Sequence, residues 1–311
     1  MTISRLSHHN QMPGDLRGAV IALGNFDGFH LGHQAVAGRA IKLAKEQGRP
    51  AIIATFDPHP VRHFVPGAAP FRLTTLDQRQ RLFAAAGADA MLVFEFDGDL
   101  ASTSAQDFIV ELLIKRLGAA AVVTGEDFTF GQKRGGNIDV LRDVGAQHGL
   151  QSVAVGAVDD ASGIISSSRI RDALRDGDPA AAAALLTRPF MVEGIVQHGD
   201  KNGRLLGYPT ANVDMGQYLR PKYGIYAVRG RLPNGRMLNG AANFGIRPSF
   251  DPPKELLEPY FFDFSEDLYG QTIEVEFHSF IRGEAKFDDL EALKVQMAAD
   301  CETAKALLRV K

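Results

Sequence analysis

The sequence holds a single cysteine, Cys301, in 311 residues. One thiol cannot close an internal disulfide, so the chain does not read as a stapled secreted domain and agrees with a reducing compartment. No CxxC pair and no HExxH occur, so the usual spacings of a zinc centre are missing. No apolar run approaches the roughly 18 residues of a membrane span. The opening stretch "MTISRLSHHNQMPGDLRG" lacks the apolar core of a secretory signal. Positive charge is not in excess either: 34 Lys+Arg stand against 37 Asp+Glu, a net charge of −3. Up to residue 186 the balance is 18 against 20, and after it 16 against 17. Neither half carries the basic field of a nucleic-acid binder, although a small anion needs only a few cations and backbone amides. A Walker A loop, GxxxxGK[ST], is absent, and no internal repeat is evident. A cytoplasmic protein acting on small molecules is expected, a monomer or weak homo-oligomer without nucleic-acid or membrane partners.

What is present is globular composition, 45% hydrophobic and 23% charged. From residue 18 to about 186, apolar runs at 19–24, 51–56, 90–96, 119–124 and 151–158 read as strands. Helical patterns separate them at 33–48, 76–87, from Ser104 onward and at 137–149, with a last one at 178–189 before the boundary. Gly48 and Gly87 sit where such helices stop, and Ser104 with Asp107 makes a capping arrangement. Continuous apolar strands alternating with helices predict a doubly wound parallel sheet covered on both faces. Beyond about residue 187 the rhythm changes to short strands and Gly/Pro/Asn turns. In "QTIEVEFHSF" (271–280), Ile273, Val275 and Phe277 alternate with Glu274, Glu276 and His278, the period of a half-buried antiparallel strand. A small β-barrel closed by a helix at 288–310 is expected, giving domains 1–186 and 187–311.

The first strand runs into "GNFDGFHLGH" (24–33), which opens the first helix. Ligands of open α/β sheets bind at the carboxyl ends of parallel strands, and the free N–H groups of a helix start attract phosphate. Gly28 and Gly32 would let the backbone come close to a bulky anion, with the imidazoles of His30 and His33 as donors. Two histidines without a third ligand make metal binding the weaker reading; a plain strand–helix turn is the other. "TFDPHP" (55–60) holds Asp57 and His59 on an extended turn. "GEDFTFGQKRGG" (125–136) puts Asp127 at a strand end, with Phe128 and Phe130 available for core packing or for stacking on a flat ring. "ISSSRIR" (165–171) offers hydroxyls at a helix start and two arginines pointing apart. In the second half, "HGDKNGRLLGYPTANV" (198–213) is a basic glycine-rich loop. Its Thr210 and Asn212 suit either a capped turn or a hard divalent cation.

Together the blocks "GNFDGFHLGH", "TFDPHP", "GEDFTFGQKRGG" and "ISSSRIR", in that order, resemble the adenylyltransferase half of bacterial bifunctional riboflavin kinase/FAD synthetases. "HLGH" matches the HxGH signature of the nucleotidyltransferase superfamily, with its Rossmann-like sheet. "GYPTANV", "YGIYAV", "GAANFGIRPSF", "DLYG" and "IRGEAKF" are similar to the flavokinase domain, a six-stranded barrel. The resemblance spans about residues 18–310. It implies phosphorylation of riboflavin to FMN and adenylylation of FMN to FAD with release of pyrophosphate, using ATP and Mg²⁺.

By the same resemblance, His30, His33 and Arg171 act on the phosphates of the adenylyl transfer. Gly24, Asn25, Phe26, Gly32, Ser167 and Ser168 hold ATP, and Asp57, His59 and Asp127 contact flavin. In the kinase half, Gly199, Lys201, Gly203 and Gly207 cover the nucleotide, and Thr210 and Asn212 hold Mg²⁺. Glu258 is the catalytic carboxylate, and the loop at Arg282 touches flavin. Ser168 stands where the family has threonine, and Pro259–Tyr260 where it has a small apolar residue and a histidine. Two other readings fit parts of the chain: a nucleotidyltransferase for another phosphorylated substrate with an accessory β domain, and a non-catalytic flavin binder. A tRNA synthetase fragment fails for want of a KMSKS-like loop and a basic surface.

Overall fold

The protein is described by a computed structural model covering residues 2–198, 207–247, 254–287 and 289–309. Packing divides the chain into two compact units. The first contains the described residues up to Ala69 and Thr74–Ser166; the second contains Pro70–Leu73 and the chain from Ser167 onward.

In the first unit β1 (Ser4–Ser7), β2 (Val20–Leu23), β3 (Ala51–Asp57), β4 (Ala90–Glu95), β5 (Ala121–Gly125) and β6 (Gln151–Val155) form one parallel sheet, ordered β1-β4-β3-β2-β5-β6. The helices are α1 (Leu31–Gln47), α2 (Pro60–Phe64), α3 (Leu76–Ala86), α4 (Gly98–Ser102), α5 (Ala105–Asp107, continued by π-helical turns over Phe108–Arg116) and α6 (Ile138–Gln147). Alternate strand residues enter opposite cores. Ile21, Leu23, Ile52, Leu92 and Val122 face one, and Val20, Ala22, Ile53, Met91 and Val123 the other. The central strands β2 to β5 are therefore apolar along most of their length, as a sheet buried on both faces requires. Gly48 ends α1 in the left-handed conformation (φ 62°). Thr75 and Gln78 close a reciprocal capping box at the start of α3. The sheet has one strand more than the apolar runs predict. β1, "SRLS", is polar and half-exposed, and it forms by pairing with β4. β6 stops at Val155, short of the run to 158, and a two-stranded ribbon of β7 (Asp159–Asp160) and β8 (Gly163–Ile164) follows it.

The second unit opens with α7 (Ser167–Asp176) and α8 (Pro179–Leu186). Asp178 caps α8 by accepting from the Ala181 N–H at 2.8 Å, and left-handed Thr187 ends it. Strands β9 (Phe190–Gln197), β10 (Asn212–Asp214), β11 (Gly224–Arg231), β12 (Met237–Arg247), β13 (Lys254–Phe261) and β14 (Thr272–Arg282) close an antiparallel barrel in the order β10-β13-β12-β11-β14-β9. Ile273, Val275 and Phe277 are fully buried, as the period of two predicts. Each such side chain contributes about 1.5–3 kcal/mol by burial. Helix α9 (Leu290–Leu308) packs Cys301, Ala304 and Leu308 on the outer barrel face at Ala227, Ala241 and Phe262. Among the described residues no helix is long and apolar enough to cross a membrane.

Candidate active sites

Chain order reverses direction across the first sheet between β2 and β5, since β3 and β4 lie on one side of β2 and β5 and β6 on the other. That is the topological switch point, where open α/β sheets take their ligands. The β2–α1 loop leaves from it. Phe26 (φ 48°), Gly28 (φ 88°) and Phe29 (φ 44°) are all left-handed. For each phenylalanine this conformation costs about 1 kcal/mol or more. Burial of both rings offsets the cost: each packs edge-on against Phe83, at 5.8 and 5.1 Å between centroids. The loop is also pinned by buried Asp27, which accepts from the Thr74 N–H (2.9 Å) and hydroxyl (3.2 Å), and by the Gly28 N–H on Thr74 Oγ1 (2.9 Å).

His30, 5% exposed, is the N-cap of α1, its Nδ1 accepting from the His33 N–H at 3.4 Å. That leaves Nε2 as the donor of a neutral ring. The rings of His30 and His33 stack with centroids 3.7 Å apart, so the two imidazoles form one face. At Gly32 a Cβ would crowd the His30 ring, lying 3.2 Å from Cε1, and would touch the Ile165 carbonyl at 3.5 Å. At Gly24 a Cβ would lie 3.2 Å from the Phe26 ring. The Asn25 Oδ1 and the Thr124 hydroxyl at the end of β5 are buried without a hydrogen-bond partner. Buried polar atoms are normally satisfied, and these two suit a ligand donor or an ordered water at the carboxyl edge.

The "TFDPHP" turn departs from its expected exposure. Asp57 is half-buried and accepts from Arg79 Nη2 at 3.3 Å, while His59 caps α2 by accepting from the Val61 N–H at 3.2 Å. Asp127 is exposed, with Oδ1 folded over Gly125, where a Cβ would lie 2.9 Å away. Phe130 is core, whereas Phe128 is half-exposed. Phe128 belongs to a run of rings continuing through Phe56 (6.4 Å) to Phe96 (6.1 Å) and on to Phe64 (5.8 Å). Phe64 and Phe96 were not singled out from sequence, since neither sits in a recognisable block.

Ser167 and exposed Ser168 begin α7 and belong to the second unit, as does Arg171. The Arg171 Nε donates to the Phe71 carbonyl at 2.9 Å, and its guanidinium lies over the Phe71 ring. Among the loop residues expected to cover the kinase nucleotide, Gly207 is left-handed (φ 86°); Gly199, Lys201 and Gly203 lie outside the described residues.

On the barrel, strand register assembles the remaining candidates. Asn212 pairs with Gln197, Asn243 with both Glu258 and Ile225, and Ile225 with Arg282. Val213 opposite Leu257, with the Ala211 N–H on the Pro259 carbonyl (2.9 Å), sets Asn212 opposite Glu258. Directly opposed residues share a face. Asn212, 91% buried, and Asn243 therefore flank Glu258, and Asn243 Nδ2 donates to Glu258 Oε2 at 3.4 Å. The other carboxylate on β13, Glu255, has different company. Burial works against its charge, yet hydrogen bonds from the Tyr223 hydroxyl and from Arg220 (2.6 Å) hold it below the usual carboxylate range. Burial and that carboxylate push Tyr223 up to about 12. Glu255 is thus tied into a structural ion pair, and Glu258 is the glutamate set between carboxamides. Arg282 makes a two-pronged contact with Asp300 of α9, Nε to Oδ1 at 2.9 Å and Nη2 to Oδ2 at 2.7 Å. Cys301 beside it is pushed up to about 11 by burial, so it remains a thiol. Thr210 is half-buried just before β10.

A family model for FAD synthetase matches residues 12–169, and one for riboflavin kinase matches residues 186–308. A bifunctional riboflavin kinase/FMN adenylyltransferase from Haemophilus influenzae is 39% identical over 297 residues, covering 94% of either chain. The Escherichia coli K12 protein of the same description is 37% identical, over 96% of this chain and 95% of its own. Among solved structures, a macrolide-efflux protein from Streptococcus pneumoniae superposes with a TM-score of 0.87 at 30% identity, covering 97% of this chain and 99% of that one.

Proposed function

The chain belongs to the bifunctional riboflavin kinase/FMN adenylyltransferase family, and on that premise we propose that it converts riboflavin to FMN and FMN to FAD, with ATP as co-substrate of both steps. Riboflavin phosphorylation is assigned to residues 187–311 and adenylyl transfer to residues 1–186. Ser167, Ser168 and Arg171, to which the resemblance gives a part in the second reaction, fall in the second unit.

At the barrel, Glu258 orients the 5′-hydroxyl of riboflavin toward the γ-phosphorus of ATP and accepts its proton late, because a carboxylate is a weak base for an alcohol. Thr210 and Asn212 supply neutral oxygen donors of the kind Mg²⁺ takes. Among the described residues no group of three His, Cys, Asp or Glu could hold a metal. That donor set fits an ion carried largely by ATP phosphates and water, where it offsets charge on the transferring phosphoryl group. Gly199, Lys201, Gly203 and Gly207 cover the nucleotide, and Arg282, held by Asp300, forms the rim of the flavin site.

In the first unit, a phosphate oxygen of FMN attacks the α-phosphorus of the second ATP, and pyrophosphate leaves. The His30–His33 face stabilises the charge that develops on the phosphoryl oxygens, and Arg171 keeps the phosphate role that the resemblance implies for it. Gly24, Asn25, Phe26 and Gly32 shape the nucleotide loop, and Asp57, His59 and Asp127 contact the flavin. The lone buried thiol and the need for ATP support a cytoplasmic setting, with small molecules as the partners of a monomer or weak homo-oligomer. The reading is supported by one observation: a single chain holds two polar arrangements of different design. One is a histidine pair at the switch point of a parallel sheet, the other a carboxylate between carboxamides on a barrel. Incubating the purified protein with riboflavin, Mg²⁺ and ATP, then separating flavins by chromatography, tests it. FMN followed by FAD is expected, and unchanged riboflavin would overturn it.

A further inference from the structure

We propose that Arg79 is a positioning residue for adenylyl transfer, locking the β2–α1 loop to the turn that follows β3. The inference rests on assigning that reaction to the first unit. Arg79 lies in the first turns of α3 and is 3% exposed. A cation so far from water is retained only where close partners compensate it. Its guanidinium donates to the Thr55 hydroxyl (2.6 Å), the Asn25 carbonyl (3.3 Å), the Asp57 carboxylate (3.3 Å) and the Phe56 carbonyl (3.4 Å). All four belong to two stretches: the exit of β2, which carries His30 and His33, and the carboxyl end of β3, which carries Asp57 and His59. Thr55 joins them a second time by donating its hydroxyl to the same Asn25 carbonyl at 2.6 Å.

The start of α3 holds the far side of the loop as well, through Thr74 on Asp27 and Gly28. Of the three left-handed residues, Phe26 lies between these clamps, Gly28 is held by one of them, and Phe29 follows directly. Such strain persists only where its surroundings over-determine it. A planar fork that reaches a carbonyl in each stretch, Asn25 and Phe56, can do this; a point charge on a flexible stem reaches fewer acceptors at once. Arg79 is too deeply buried to touch a substrate in this arrangement, so it acts by setting how far the histidine pair stands from the flavin turn. In-line attack is sensitive to that separation, since about 1 Å of misplacement can cost on the order of 100-fold in rate.

The test uses full-length Arg79→Lys and Arg79→Met. Steady-state kinetics of FMN adenylylation are measured beside riboflavin phosphorylation on the same preparations, with thermal melts reporting the folded fraction. Expected are a fall in adenylylation kcat of about 100-fold for Arg79→Met and about 10-fold for Arg79→Lys, KM for ATP within about threefold, and unchanged phosphorylation. A merely structural arginine would lower the melting temperature while the folded enzyme kept its kcat, and that result overturns the proposal. So does a rise in KM at constant kcat, which would make Arg79 a binding group. Should Arg79→Met be unfolded at the assay temperature, Arg79→Lys, which keeps the charge opposite Asp57, carries the test alone. Wild-type protein that forms FMN but no FAD would overturn the adenylyl-transfer reading itself, and this inference with it; a variant matching an active wild type overturns only the inference.

Discussion

Replacing Arg282 by methionine keeps most of the side-chain volume and removes the guanidinium that meets both oxygens of Asp300. Asp300 is 5% exposed, and Gln296 Nε2 on Oδ1 (2.9 Å) would be its remaining side-chain donor among the described residues. Stripping one partner from a buried ion pair costs about 3–5 kcal/mol, because the surviving charge has lost its compensation. The Gln296 bond and the partial exposure of Arg282 (23% of its side chain) place this case at the lower end, about 3 kcal/mol. For a unit of this size that lowers the barrel's Tm by roughly 10 °C. Helix α9 is the element cut loose, and with it the cover over Ala227, Ala241 and Phe262. Riboflavin phosphorylation at physiological temperature should fall with the loss of folded barrel. The double substitution Arg282→Met/Asp300→Asn leaves an amide for Gln296 and no buried charge, and should recover at least about 2 kcal/mol of the loss. Urea unfolding followed by circular dichroism, with both activities assayed, supplies the measurement. A single variant that loses less than about 1 kcal/mol, or a double variant no more stable than the single, would refute the uncompensated-charge argument.

His33→Ala should lower FAD formation from FMN by about 100–1,000-fold while FMN formation from riboflavin stays at the wild-type rate, as read by chromatography of the flavins. Glu258→Gln should do the reverse, cutting riboflavin phosphorylation by about 100-fold or more, whereas Glu255→Gln, which frees Arg220 and Tyr223, should act on barrel stability measured by thermal melts. His8 is 4% exposed, accepts the Glu95 N–H on Nδ1, and is held below its ordinary value of 6.5, first by burial and then by neighbouring His9. Its unfolded state binds the proton more readily, so the first unit's stability should be lost as pH falls below about 6.5; His8→Asn should flatten that limb in urea titrations at a series of pH values.

The elements legible from residues alone were those whose signal is local. Apolar runs flanked by glycine stops marked β2 to β6, and the alternation of Ile273, Val275 and Phe277 marked β14. β1 carried no such signal, because four half-exposed residues become a strand only when β4 offers an unpaired edge. The histidine pair was legible for the same reason as the runs: residues three apart at a helix start must meet, whatever the rest of the chain does.

Arg79 and Asn243 were not legible, and the physical reason is shared. In "LDQRQR" (76–81) an arginine two residues from another arginine reads as a solvated cation, and nothing within the helix distinguishes Arg79 from Arg81. What buries one of them is the way α3 lies across the exits of β2 and β3, a fact of packing that appears only when Asn25, Thr55 and Asp57 arrive from sequence positions 22–54 residues away. Asn243 likewise gains meaning from the registers that place it and Asn212 on either side of Glu258. Groups that touch the phosphates tend to lie together in short blocks, because one loop must present them. Groups that hold those loops in place are drawn from neighbouring elements, and their sequence context is that of ordinary helix or strand.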